Sequence, residues 1–117
     1  MTKVLFICGK ARKRSPTAVE VASNWPELLA DFGGLSKDAD ERVTQEQLEW
    51  ADVVMVMEHR QKARLRNIMG PLPSHTKAIS MNIPDNYDFM DETLVDILKR
   101  KLTHHFGPPQ ISAGHET

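Results

Sequence analysis

Val4-Leu5-Phe6-Ile7-Cys8, running on into Gly9-Lys10-Ala11-Arg12-Lys13-Arg14-Ser15-Pro16, is the stretch on which the fold turns. Four consecutive apolar residues rich in strand formers predict a strand that is buried on both faces, as in the middle of a parallel sheet. The next residues have no periodicity and read as a loop. Ser15-Pro16 then has the form of a helix start, with Ser15 as N-cap and Pro16 at the first helical position. The helix runs through Ala18, Val21 and Ala22 and stops before Trp25-Pro26.

Working outward, the same alternation repeats. A strand is expected over 28–32, ended by Gly33-Gly34, with a polar connector over 36–42. Thr44-Gln45-Glu46-Gln47 is a capping-box pattern opening a short helix through Leu48 and Trp50. Residues 53–57 form a second clear buried strand, 58–69 a basic helix stopped by Gly70-Pro71, and 77–81 a short strand. Asp91 caps a last helix with Leu94, Ile97, Leu98 and Leu102 on one face. Strand and helix in alternation predict an α/β fold, a three-layer sandwich around a mostly parallel four-stranded sheet. One domain over 1–106 is expected, with 107–117 as a flexible polar tail.

Composition narrows the function. The 117 residues carry 15 Lys plus Arg against 16 Asp plus Glu, a net charge of -1, so a dedicated nucleic-acid role is disfavoured. The single cysteine, Cys8, can make neither an internal disulfide nor a multi-cysteine metal site. The first apolar run is too short for a signal-peptide core or a membrane span, so a reduced, cytoplasmic protein is the expectation.

In a parallel sheet the ligand crevice lies beyond the carboxyl ends of the strands, where 8–14 sits. A loop curling into a helix start turns backbone N–H groups inward, which suits a phosphate group. Arg14 offers a planar fork to two phosphoryl oxygens, and the same positive field suits Cys8 as a nucleophile. Ser15 either caps the helix or bonds the Cys8 sulfur. Lys10, Arg12 and Lys13 read as a solvated basic rim or as a lure for anionic substrates. His59, Arg60, Lys62, Arg64 and Arg66 read as a surface helix, with Lys62 and Arg66 on one face. The acidic run Asp85, Asp88, Asp91, Glu92 and Asp96 reads as a solvated face. Adjacent histidines such as His104 and His105 diverge on a helix, and with the distant His115 they make a poor metal set.

The Cys8 loop and the Arg14-Ser15-Pro16-Thr17-Ala18 that follows it resemble the signature of low-molecular-weight protein tyrosine phosphatases. Segments 48–58 and 83–91 are similar to a compact bacterial branch described as predicted protein tyrosine phosphatases, and the likeness spans about residues 3–105. The resemblance implies a metal-free, cofactor-free enzyme in which Cys8 attacks phosphorus and forms a phosphocysteine. Arg14 would hold the phosphoryl oxygens and Ser15 support the thiolate, with Gly9, Lys10, Ala11, Arg12 and Lys13 lining the loop. An aspartate would protonate the leaving oxygen; Asp85 is preferred, with Asp88 and Asp91 as alternatives. Tyr87, ahead of Trp50 and Trp25, would wall the substrate ring. The partners implied are a phosphorylated protein or peptide and inorganic phosphate as product or inhibitor. The chain departs from the pattern at Ala11, where the full-length family has a bracing asparagine, at Lys10 for a glycine and at Lys13 for a second cysteine. Arsenate reduction with an external thiol and a catalytically weak phosphate-binding regulatory module are the other readings.

Overall fold

The computed structural model describes residues 1–109. The elements follow in the order β1 (Thr2–Cys8), α1 (Arg14–Ala22), β2 (Leu28–Gly34), α2 (Gln45–Trp50), β3 (Val53–Val56), α3 (Arg60–Met69), β4 (Lys77–Ser80) and α4 (Glu92–Phe106). The four strands make one sheet in the order β2-β1-β3-β4, and every pairing is parallel. Each strand is therefore joined to the next in the chain by a crossover through a helix, and the one through α2 passes over β1.

Position in the sheet accounts for the opening apolar run. β1 is flanked by β2 and β3, and Val4 through Ile7 are fully buried. Val4, Phe6 and Cys8 face a core shared with Ala18 and Val21 of α1, Met55, and Leu94, Leu98 and Leu102 of α4. Leu5 and Ile7 face the opposite core, built with Val54, Val56, Leu48 and Leu65. Helices α1 and α4 thus cover one face of the sheet and α2 and α3 the other, giving the expected three layers. Trp25 is buried in the first core, and its indole N–H donates to the Gly107 carbonyl at 2.8 Å, tying the end of α4 to the turn after α1.

Two caps form as the sequence predicts. Thr44 accepts from the Gln47 N–H while the Gln47 side chain accepts from the Thr44 N–H, a complete capping box on α2. Asp91 accepts from the N–H groups of Thr93 and Leu94 at the start of α4.

Other boundaries move, each for a local reason. Gly33 and Gly34 continue β2 instead of ending it, because Gly34 pairs with Cys8 and exchanges backbone hydrogen bonds with 41–43. Helix α1 begins at Arg14 with Lys13 at the N-cap position, so Ser15 lies inside the first turn and is not the cap. Its hydroxyl points to the Cys8 sulfur instead. Helix α3 begins at Arg60, two residues later than expected, and the Gln61 side chain accepts from the Glu58 N–H just ahead of it. Of the expected tail, residues 110–117 lie outside the described residues, and His115 with them.

Candidate active site

Residues 8–14 link the end of β1 to α1 at the carboxyl edge of the sheet, and they floor a cavity of about 650 Å³. Cys8 ends β1 with its side chain 3% exposed. Two polar groups address its sulfur. The Ser15 hydroxyl lies 3.0 Å from Sγ, and the Ala11 N–H donates to it at 3.2 Å. Ala11 reaches that position only with a φ of 58°, in the left-handed region. A non-glycine residue held there costs on the order of 1–3 kcal/mol.

The strain is held by segment 34–42. Gly9 and Lys10 carbonyls accept from the N–H groups of Ser36 and Asp40, at 2.9 and 3.0 Å, and the Cys8 carbonyl accepts from Leu35. Arg12 donates to the Asp40 carboxylate and to the Asp38 carbonyl, and Lys10 pairs with the Asp38 carboxylate. Lys10 holds the Asp38 carboxyl below its ordinary range, and Asp40 raises the Arg12 guanidinium further. The close approach requires Gly34: a Cβ there would sit 2.7 Å from the Gly9 carbonyl oxygen and 2.6 Å from Ala39 Cβ.

Arg14 is 4% exposed and enters the cavity from the first turn of α1. Its Nη1 donates to Glu58 Oε1 and to the Ile83 carbonyl, both at 2.7 Å. One nitrogen is thus anchored from behind, and the remaining edge of the fork, Nε and Nη2, is the part suited to a ligand. Glu58 follows β3 and went unnoticed in the sequence reading. Its partnership with Arg14 spans 44 positions, and only the parallel pairing of β1 with β3 makes them neighbours. The Arg14 hydrogen bond, helped by Arg60, holds the Glu58 carboxyl below the ordinary carboxylate range against the opposing effect of partial burial.

The acidic residues separate by position. Asp85 lines the cavity, 3.7 Å from Arg14 Nε, with its side chain 65% exposed. Asp88 points away and pairs with Lys13 at 3.5 Å. Asp91 is the helix cap already described. The loop that carries them is fastened at both ends. Ile83 N–H donates to the Met57 carbonyl, and Met90 N–H donates to Thr17 Oγ1.

The cavity gathers Cys8, Gly9, Lys10, Arg12, Lys13, Arg14 and Asp85 from the predicted set. Ala11 is buried beneath it, and Ser15 reaches it only through the sulfur. Tyr87 is half-buried against the α1/α4 core and does not line the cavity, and neither tryptophan does. Arg60, Gln61 and Arg64 do line it. The basic helix lies on the surface as expected, with Arg60 and Arg64 exposed at the rim of the cavity. Among the described residues no three His, Cys, Asp or Glu side chains come together as a metal set. His104 and His105 stand edge to face, with ring centroids 5.1 Å apart.

No family model matches the chain, and no curated protein does. Solved structures do. The architecture is that of the low-molecular-weight protein tyrosine phosphatases and related small phosphatases. The low-molecular-weight protein tyrosine phosphatase SP-PTP from Streptococcus pyogenes superposes with a TM-score of 0.73 at 14% identity, covering 99% of this chain and 97% of that one. Wzb from Vibrio vulnificus, solved with benzylphosphonate, gives 0.68 at 19% identity over 89% and 96% of the two chains. The YwlE arginine phosphatase from Geobacillus stearothermophilus gives 0.62 at 18% identity over 90% and 95%. At these identities the likeness establishes the fold.

Proposed function

We propose that the chain is a cysteine-dependent phosphatase that hydrolyses phosphate monoesters, phosphotyrosine and similar aryl phosphates among them, without a metal or cofactor. The observation that carries the reading is the arrangement about Cys8. Its sulfur shares a hydrogen bond with the Ser15 hydroxyl and accepts from the Ala11 N–H, beside an arginine fork anchored from behind by Glu58 and Ile83. Proteins solved with this fold include phosphatases, among them the tyrosine phosphatase Wzb from Escherichia coli K30 in complex with phosphate.

In this mechanism the Cys8 thiolate attacks phosphorus and the bond to the leaving oxygen breaks. Arg14 and the 9–13 backbone hold the phosphoryl oxygens, where charge grows in the transition state. Asp85, at the mouth and within reach of the Arg14 edge, gives its proton to the leaving oxygen. Water, deprotonated by the resulting carboxylate, then displaces sulfur from the phosphocysteine. Inorganic phosphate leaves, Asp85 is protonated again and Cys8 is a thiolate once more. Ser15 steadies the sulfur in both steps. Among the described residues no helix is long and apolar enough to cross a membrane. The proposed setting is the cytoplasm, where a lone thiol stays reduced.

The experiment is hydrolysis of an activated aryl phosphate in the presence of EDTA by wild type and Cys8→Ser. We expect EDTA-insensitive turnover that falls to background in the variant. Turnover that survives the loss of sulfur overturns the covalent mechanism.

A further inference from the structure

The cations around the cavity are not equivalent. Lys10, Arg12 and Lys13 on the loop each have a carboxylate of their own, from Asp38, Asp40 and Asp88. The wall formed by α3 is different. Arg60 and Arg64 stand one helical turn apart, on the same side of the helix, and both line the cavity that holds Cys8 and Arg14. The only carboxylate near them is Glu58, and it is divided. Oε1 is taken by Arg14 at 2.7 Å, while Oε2 accepts from Arg60 at 3.1 Å. Arg64 is exposed and has no carboxylate within 4.0 Å among the described residues. Two carboxylates, Glu58 and the exposed Asp85 that lies 3.7 Å from Arg14 Nε, thus face three arginines, and Arg64 pairs with neither.

The rest of the lining points the same way. Among the described residues no aromatic side chain borders the cavity. Its volume of about 650 Å³ is far more than a single phosphoryl group fills. A wall of guanidinium groups in a concave site binds planar or tetrahedral oxyanions through paired N–H donors, and a neutral substrate would leave those donors unused.

We propose that Arg60 and Arg64 form a second anion subsite, so that the preferred substrate is a phosphate monoester bearing another anionic group, a phosphoryl or a carboxylate. The inference rests on the phosphatase reading, because the first phosphoryl group is taken to sit at Cys8. Arg60 would bind while keeping its contact to Glu58, and Arg64 would supply the unshared fork. No bond to either arginine forms or breaks. Their contribution is affinity and choice of substrate.

The test uses non-hydrolysable anions and reads binding, not turnover. Dissociation constants come from protection of Cys8 against iodoacetamide at fixed ionic strength. The probes are alkylphosphonates and alkanediphosphonates of matched and increasing length, with phosphonocarboxylates as a further series. In wild type the best doubly anionic probe should bind about tenfold more tightly than its singly anionic match, the gain of one good charge-assisted contact. Arg60→Gln/Arg64→Gln should bring that ratio close to one. Lys62→Gln/Arg66→Gln removes the same formal charge from α3 at residues outside the cavity and should leave the ratio in place. A gain with phosphonocarboxylates assigns the subsite to carboxylates as well, and a gain with diphosphonates alone assigns it to phosphoryl groups. Equal binding of single and double anions by wild type overturns the subsite and leaves the phosphatase reading standing. An equal fall in the Lys62/Arg66 variant reduces the effect to the long-range field and also overturns it. Failure of every phosphonate to protect Cys8 removes the phosphate site itself, and the phosphatase reading with it.

Discussion

Segments 34–42 and 82–91 flank the same loop from opposite sides, and they hold it in opposite ways. The first is a brace. It meets 8–12 through backbone hydrogen bonds from Leu35, Ser36 and Asp40 and through two ion pairs, and it approaches so closely that Gly34 cannot carry a side chain. The second is an arm. It is fastened where Ile83 meets Arg14 and Met57 and where Met90 meets Thr17, and between them Tyr87 packs on the core while Asp85 and Asp88 are exposed. Both ends of the arm carry a left-handed residue, Asn82 at φ 55° and Met90 at φ 61°. A rigid wall suits a group that must keep its shape around an anion. An exposed carboxylate on a pinned arm suits a proton donor that serves leaving groups of different size. The contrast separates binding from chemistry.

If that division holds, Asp85→Asn produces the largest change, and only in turnover. We expect turnover of an alkyl or unactivated aryl phosphate to fall about 10²–10⁴-fold, as the loss of a positioned acid does. Activated aryl phosphates should lose far less, and phosphate should still protect Cys8 from alkylation. An equal loss on both kinds of substrate would transfer the acid role away from Asp85. Gly34→Ala comes next and acts on the brace. Driving a Cβ into the Gly9 carbonyl and Ala39 should cost about 3 kcal/mol, measured as a lower urea midpoint, and should weaken phosphate protection of Cys8. Normal stability in this variant would show that the wall yields.

Glu58→Gln is the smallest of the three and sharpens the comparison, because Glu58 belongs to neither flank and holds Arg14 from below. Loss of the charged partner should cost about 2 kcal/mol near neutral pH. Folding lowers the Glu58 pKa, so this stabilisation is complete above the unfolded glutamate value of about 4.3 and fades as pH falls through the lower folded value. Unfolding curves of wild type and variant should therefore converge in acid. A gap that stays constant with pH would remove the ion pair as its cause.

What the sequence reveals and what it hides divide along the range of the interactions. β1 and β3 are legible because burial on both faces writes itself as an unbroken apolar run, and the Thr44 and Asp91 caps because their partners lie within three residues. The Cys8-to-Arg14 spacing is equally local, and so the meeting of these two residues at one loop is readable. The supports are not. Glu58 meets Arg14, Ile83 meets Arg14, and Asp40 meets Arg12 across 44, 69 and 28 positions, distances at which no periodicity or motif operates. The missing loop asparagine shows the limit plainly. Ala11 looks like a loss when only the loop is read, yet 34–42 supplies the bracing from outside it. Helical spacing separates Arg60 and Arg64 from Lys62 and Arg66, but which pair borders the cavity depends on how α3 packs on the sheet, through Gln61 and Leu65, and that is not written locally.

The all-parallel sheet has one more consequence, and it concerns folding. Without a single hairpin, every strand pairing closes a long loop, so little native structure is reachable from local steps alone. The anion site draws on residues from 8 to 85 and exists only when the last crossover is in place. An oxyanion then binds the native chain and ignores the unfolded one, and at a hundred times its dissociation constant it adds about 2.7 kcal/mol to stability. On the proposed reading, inorganic phosphate would be a thermodynamic chaperone for this chain.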